Sequence, residues 1–124
     1  MKFSLDKQKH FSILTLMEKN LNSLISPDLK SEFVFFHNEG VNNLILDLSG
    51  VDYVDSSGLS AILTANRLWK LNGTFVLTGI VSESVKKLIS ISRLDSILNI
   101  IPTLEEAKEF VMMEEIEREI TEEE

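Results

Sequence analysis

The chain has no cysteine, so disulfides, thiol chemistry and thiolate metal sites are excluded together. It has only two histidines, His10 and His37, too few for a His-rich metal site. No stretch approaches the ~20 apolar residues that a membrane-spanning helix needs. The first residues, MKFSLDKQKHFS, lack the apolar segment of a secretion signal. There is no basic stripe to neutralise phosphates, which disfavours nucleic acid as a partner. Neither a Walker-type loop nor a Gly-x-Gly-x-x-Gly is present, so a nucleotide would find no cradle. These absences predict a soluble cytoplasmic protein without cofactor, metal, nucleic-acid ligand or membrane insertion.

At 124 residues, the chain suits one domain. A domain near this size buries roughly 65% of its unfolded surface, enough for a real core without staples. The net charge of −8 is unevenly spread. Residues 1–113 hold 11 Lys and Arg against 13 Asp and Glu, while residues 114–124 hold one Arg against seven Glu. The division expected on this basis is a nearly neutral folded domain, 1–113, and an acidic C-terminal tail, 114–124. Such a tail reads first as a solvated segment, and second as a docking arm for a basic surface. Whether it prolongs a helix or frays is left open by its sequence.

The periodicities alternate between strand and helix. Phe3 and Leu5 alternate with polar neighbours, and Ser12–Met17 is rich in β-formers. Glu18–Ser23 reads as a turn. Ser26-Pro27 opens a helix, with serine as the expected N-cap and proline at the first helical position. Leu29, Phe33 and Phe36 give that helix an apolar side, and Gly40 marks its end. Asn43–Leu48 is almost wholly apolar, as a strand covered on both faces should be. A helix from near Ser57 to Asn72-Gly73 follows, then a strand over Thr74–Thr78. Ser82 or Ser84 caps a short helix carrying Val85, Leu88 and Ile89. Ser96–Ile101 reads as a last strand stopped by Pro102, and Thr103 with Glu106 as the capping box of a final helix. Trp69 and Phe75 belong to the core or its edge. This order predicts an α/β domain, a mixed β-sheet with helices packed on it.

Between the third strand and its helix lies Asp55-Ser56-Ser57-Gly58-Leu59. Two hydroxyls therefore stand at a helix N-terminus, where backbone N–H groups lack partners and the helix dipole favours anions. A phosphate added there brings about −1.5 to −2 charges at neutral pH. The plain alternative is a simple N-cap. Asp55 suits an Asx-turn, accepting backbone N–H bonds, better than it suits a base. Gly58 either relieves a tight turn or lets a partner's backbone come close. Leu59 is expected to anchor the helix start in the core. Ser57, a histidine and Asp55 supply the residue types of a hydrolytic triad. However, the motif is not Gly-x-Ser-x-Gly, and Asp55 is too near the serine in sequence. The chain is therefore read as a non-enzyme.

The stretch Leu44–Gly79, LILDLSGVDYVDSSGLSAILTANRLWKLNGTFVLTG, resembles the core of a STAS domain of the anti-sigma factor antagonist type. The likeness extends over roughly Phe3–Val111. It implies a bacterial partner-switching protein. The unphosphorylated form would bind an anti-sigma factor with serine-kinase activity, and a serine phosphatase would reset it. The family's usual phosphoacceptor, the second hydroxyl of the motif, falls on Ser57, with Ser56 the second choice. The expected partner-binding surface comprises Asn22, Asp55, Ser56, Ser57, Gly58, Ser60 and Thr64. One departure stands out. Where many relatives carry Gly-x-Leu-Asp, this chain has Lys19-Asn20-Leu21-Asn22. Asn22 keeps the size and hydrogen bonding of the Asp and loses its charge. STAS domains also serve as constitutive scaffold subunits of stress-sensing or transporter-associated complexes, which is the alternative function.

Overall fold

The five expected apolar runs form one sheet in the computed structural model, which describes residues 1–123. Its strands are β1 (Phe3–Lys7), β2 (Ser12–Leu16), β4 (Asn43–Asp47), β6 (Thr74–Thr78) and β7 (Asn99–Ile101), in the spatial order β1-β2-β4-β6-β7. β1 runs antiparallel to β2 and all other pairs are parallel, so the sheet is mixed. Four helices cover it: α1 (Ser26–Asn38), α2 (Ser56–Trp69), α3 (Glu83–Ile91) and α4 (Leu104–Glu123).

Period-two alternation divides the core between the two faces of the sheet. Leu44 and Leu46 of β4 point with Phe75 and Leu77 of β6 into a cluster shared with α1, α2 and α3. Ile45 and Val76 point the other way, against Ala107 and Val111 of α4. Phe33 meets Trp69 and Phe75 edge-on at 6.2 and 6.0 Å, while Trp69 and Phe75 stack at 6.2 Å. The buried indole satisfies its N–H on the Val41 carbonyl at 2.8 Å. Trp69 and Phe75 are thus core residues, as expected.

Several local expectations are corrected. Glu18–Ser23 holds a short strand, β3 (Asn20–Leu21), which pairs in parallel with β5 (Tyr53–Val54). Two-residue strands carry no periodicity, so the sequence shows only a turn there. The last strand is shorter than Ser96–Ile101, because Leu94–Ser96 forms a 3₁₀ turn behind Arg93, whose φ is 58°. α2 ends at Trp69, not at Asn72-Gly73, and only Gly40 and Gly79 among the glycines take positive φ. Ser26 does not cap α1, whose N-cap is Ile25 without a side-chain bond. Ser82, not Ser84, caps α3, its Oγ accepting from the Val85 N–H at 3.3 Å.

α4 runs through position 113 without a break, so the tail prolongs the helix; Glu124 lies outside the described residues. Thr103 Oγ1 accepts from the Glu106 N–H and donates to Glu106 Oε1, closing the expected capping box through the hydroxyl. At the far end of the helix, Arg118 donates to Thr74 Oγ1 at 2.6 Å and to Asn43 Oδ1 at 2.8 Å. Asn43 in turn donates to the His10 carbonyl at 2.6 Å, and His10 Nδ1 lies 2.9 Å from Glu115.

Candidate functional site

The site is assembled by the small β3–β5 ladder at the C-terminal end of the sheet. The Lys19 carbonyl accepts from the N–H groups of Asp52 and Tyr53, and the Leu21 carbonyl accepts from the Asp55 N–H at 3.1 Å. This ladder lays the β2–α1 connection beside the start of α2. Asp55 caps α2 in an extended conformation, its Oδ1 accepting from the Gly58 N–H at 2.9 Å. The expected turn-holding role of Asp55 is thus observed. The same oxygen accepts the Ser57 hydroxyl at 2.6 Å. These bonds, that from Ser57 foremost, hold the exposed Asp55 carboxyl below its usual pKa. It is an ionised orienting group and a poor base.

Ser57 has a second neighbour that its sequence surroundings do not reveal. Ser26 Oγ lies 3.2 Å from Ser57 Oγ and donates to the Asn22 carbonyl at 2.6 Å. Ser26 is buried and Ser57 half-buried. The residue with the signature of a helix cap therefore lies beside the Ser57 hydroxyl. A serine directly before a proline is the only local sign, and it fits a cap equally well. Asn22 reaches Ser57 only through Ser26. Its own side chain accepts from the Leu24 N–H at 3.0 Å and fixes the turn.

Gly58 is buried, and the backbone that comes close to it is the chain's own. A Cβ built there would stand 2.5 Å from the Leu21 carbonyl oxygen and 2.8 Å from Val54 Cγ1. The missing side chain serves the β3–β5 ladder, leaving no space for a partner at that atom. Ser56 is exposed at the first position of α2. Ser60 and Thr64 follow Ser57 at helical spacing and are half-buried, the Thr64 hydroxyl donating to the Ser60 carbonyl at 2.9 Å. Leu59 is half-buried against the larger core cluster, a partial anchor. The structure adds two exposed apolar groups to this end: Leu24 beside the Asn22 turn, 83% exposed, and Tyr53 on β5, 62% exposed. The histidines are elsewhere. His10 pairs with Glu115, and His37 stands edge-on to Trp69 at 5.4 Å.

A mixed five-stranded sheet with an Asp-capped helix presenting a serine at its first turn defines a specific class of small α/β domain. The STAS domain family pattern matches residues 2–107, and the chain belongs to that family. It is 32% identical over 101 residues to a candidate anti-sigma factor antagonist of Thermotoga maritima, covering 80% of this chain and 88% of that one. The crystal structure of a candidate anti-sigma factor antagonist from the same organism superposes with a TM-score of 0.77 at 30% identity, covering 89% and 94% of the two chains. The fold is also that of the anti-sigma factor antagonist SpoIIAA. Its unphosphorylated form matches at 21% identity and a TM-score of 0.76, over 90% of this chain and 96% of that one. Its phosphorylated form, from Bacillus, matches at 21% and 0.69, over 89% and 99%. Among the described residues, no helix is long and apolar enough to cross a membrane.

Proposed function

We propose that this chain is an anti-sigma factor antagonist controlled by phosphorylation of Ser57. In this reading the dephosphorylated form binds an anti-sigma factor that is also its serine kinase, and a serine phosphatase restores it. The observation that carries the proposal is the bond from Ser57 Oγ to Asp55 Oδ1 at 2.6 Å, at the mouth of α2 and beside exposed Leu24 and Tyr53. The hydroxyl is held in one orientation at the surface, in the first turn of α2 where the helix dipole favours an anion. A phosphate on that oxygen removes the bond and sets a dianion against the Asp55 carboxylate. An interface closed over a neutral hydroxyl would then have to desolvate an unmatched charge. A penalty of about 3–4 kcal/mol weakens binding several hundredfold. A fold neighbour solved in both unphosphorylated and phosphorylated forms supports the idea that this scaffold accommodates the modification. The chain itself performs no catalysis in this scheme, since Ser57 has no histidine partner among its hydrogen bonds.

The test is phosphorylation by the cognate kinase with ATP, comparing Ser57→Ala with Ser56→Ala. The expected result is loss in the first and retention in the second; retention in Ser57→Ala moves the assignment to Ser56. Calorimetry with genuinely phosphorylated protein then reads the switch. Equal affinity of both forms for the kinase would replace it with the constitutive scaffold role.

A further inference from the structure

The second half of α4 turns an apolar stripe away from the sheet. Ala107 and Val111 are buried on the inner side, whereas Met113, Ile116 and Ile120 are 58%, 45% and 53% exposed. Spacings of three and four residues place them in one line along the helix, about 10 Å long at ~1.5 Å per residue. Glu109, Glu117 and Glu119 are exposed beside that line. The one cation of the segment is withdrawn: the Arg118 guanidinium is spent on Thr74 Oγ1 and Asn43 Oδ1. Lys108 is half-buried and turned to Glu105 at 3.2 Å. From Glu109 to Glu122, the outer face of the helix presents carboxylates and no exposed Lys or Arg among the described residues.

We propose that this stripe docks a basic amphipathic segment of a partner protein, in which an apolar ridge about two helical turns long is flanked by Lys or Arg. Aliphatic groups aligned on one helix face gain by burial against a matching ridge. The carboxylate rim selects the sign of the partner. A second copy of the chain would set glutamates against glutamates, and an anionic lipid surface would be repelled by the same rim. The stripe is remote from Ser57. Arg118 fastens α4 to Asn43 and Thr74, the first residues of β4 and β6, while Ser57 follows the opposite ends of the strands on the other face. The surface is therefore independent of the phosphorylation proposal.

Full-length protein is titrated calorimetrically with a short Leu/Lys peptide of amphipathic helical pattern, and with the same pattern in Leu/Glu. The Leu/Lys peptide should bind and the Leu/Glu peptide should not. Ile116→Ser combined with Ile120→Ser should lower affinity about tenfold or more, because the two side chains no longer bury apolar surface against the peptide. Glu109→Gln with Glu117→Gln should lower it and flatten its salt dependence. Ser57→Ala should leave it unchanged. All four changed stripe and rim positions are exposed, and matched thermal midpoints would confirm folding. No binding, or binding unaffected by the isoleucine pair, overturns the proposal. So does a dimer in sedimentation that the isoleucine pair dissolves, or stripe-dependent flotation with anionic vesicles.

Discussion

The two faces of the sheet are secured by different physics. On the α1–α2 face, Phe33, Phe36, Trp69 and Phe75 join leucines from β2, β3, β4 and β6 in a thick aromatic core. On the α4 face, the fully buried layer is Ile13, Ile45, Val76, Ala107 and Val111. There the outer end of the helix is positioned by directed bonds instead, through Arg118, Asn43, Thr74 and the His10–Glu115 pair. Large non-directional burial can tolerate local constraint. The Ser57 end, with its crowded Gly58 and buried Ser26, grows from the thick side. Where apolar area is small, a few polar bonds to buried acceptors decide where a helix lies.

The largest expected effect is on the thick face. Phe33→Ala should cost roughly 3–5 kcal/mol in chemical denaturation, the range for a large aromatic removed from a core. If Val111→Ala on the α4 face costs as much, the faces are not unequal in the sense argued. Gly58→Ala should come next. In an ordinary helix interior this change gains up to about 1 kcal/mol. Here the added Cβ meets the Leu21 carbonyl, so we expect a loss of about 1–3 kcal/mol. A stabilised Gly58→Ala protein would show that the β3–β5 ladder gives way freely.

On the thin face, Arg118→Met leaves the buried Asn43 side-chain oxygen short of a donor, at a cost of about 1–3 kcal/mol. Truncation after Met113 removes the same bonds but opens Asn43 and Thr74 to water, which replaces the lost donor. It should lower the thermal midpoint by only a few degrees, since ~1 kcal/mol corresponds to roughly 2–8 °C. Loss of cooperative unfolding would mean that the tail completes the core.

The smallest effect is a pH dependence at Asp55. The folded Asp55 carboxyl sits below its ordinary value of 3.8, held down first by the Ser57 hydroxyl and then by the Gly58 N–H. The unfolded chain therefore takes up that proton first as pH falls. Stability from Asp55 is complete above pH 3.8 and is lost as pH drops through the lower folded value. The thermal midpoint of wild type should fall more steeply than that of Asp55→Asn below about pH 4. Parallel profiles would show that the carboxylate is not held by these bonds.

Much of this architecture was legible in the sequence because it rests on period and composition. Asn43–Leu48 read as a strand covered on both faces, and β4 is buried from Asn43 to Leu46; Thr74–Thr78 read as a strand, and all five of its residues are buried. Asp55 read as a turn-holder because its type and its place before a helix admit little else. The Ser57 neighbourhood was only partly legible. Leu24 and Tyr53 are isolated exposed apolar residues that no pattern marks, and Ser26 satisfies a cap signature while doing something else.

What the sequence alone determined, then, is what acts over a few residues: alternation along strands, helix starts near Ser57, at Ser82 or Ser84 and at Thr103, and two hydroxyls at a helix mouth. What only the tertiary structure decided depends on approaches between residues distant along the chain. The Ser26–Ser57 approach spans 31 residues and the Arg118–Asn43 bond 75. Such pairs are set by how the sheet brings its loops together, and a local window of residues holds no record of that. The direction of Arg118 follows the same rule. In sequence it is one cation in an acidic run; in the fold it is spent on the sheet, and the glutamates are left to face whatever comes.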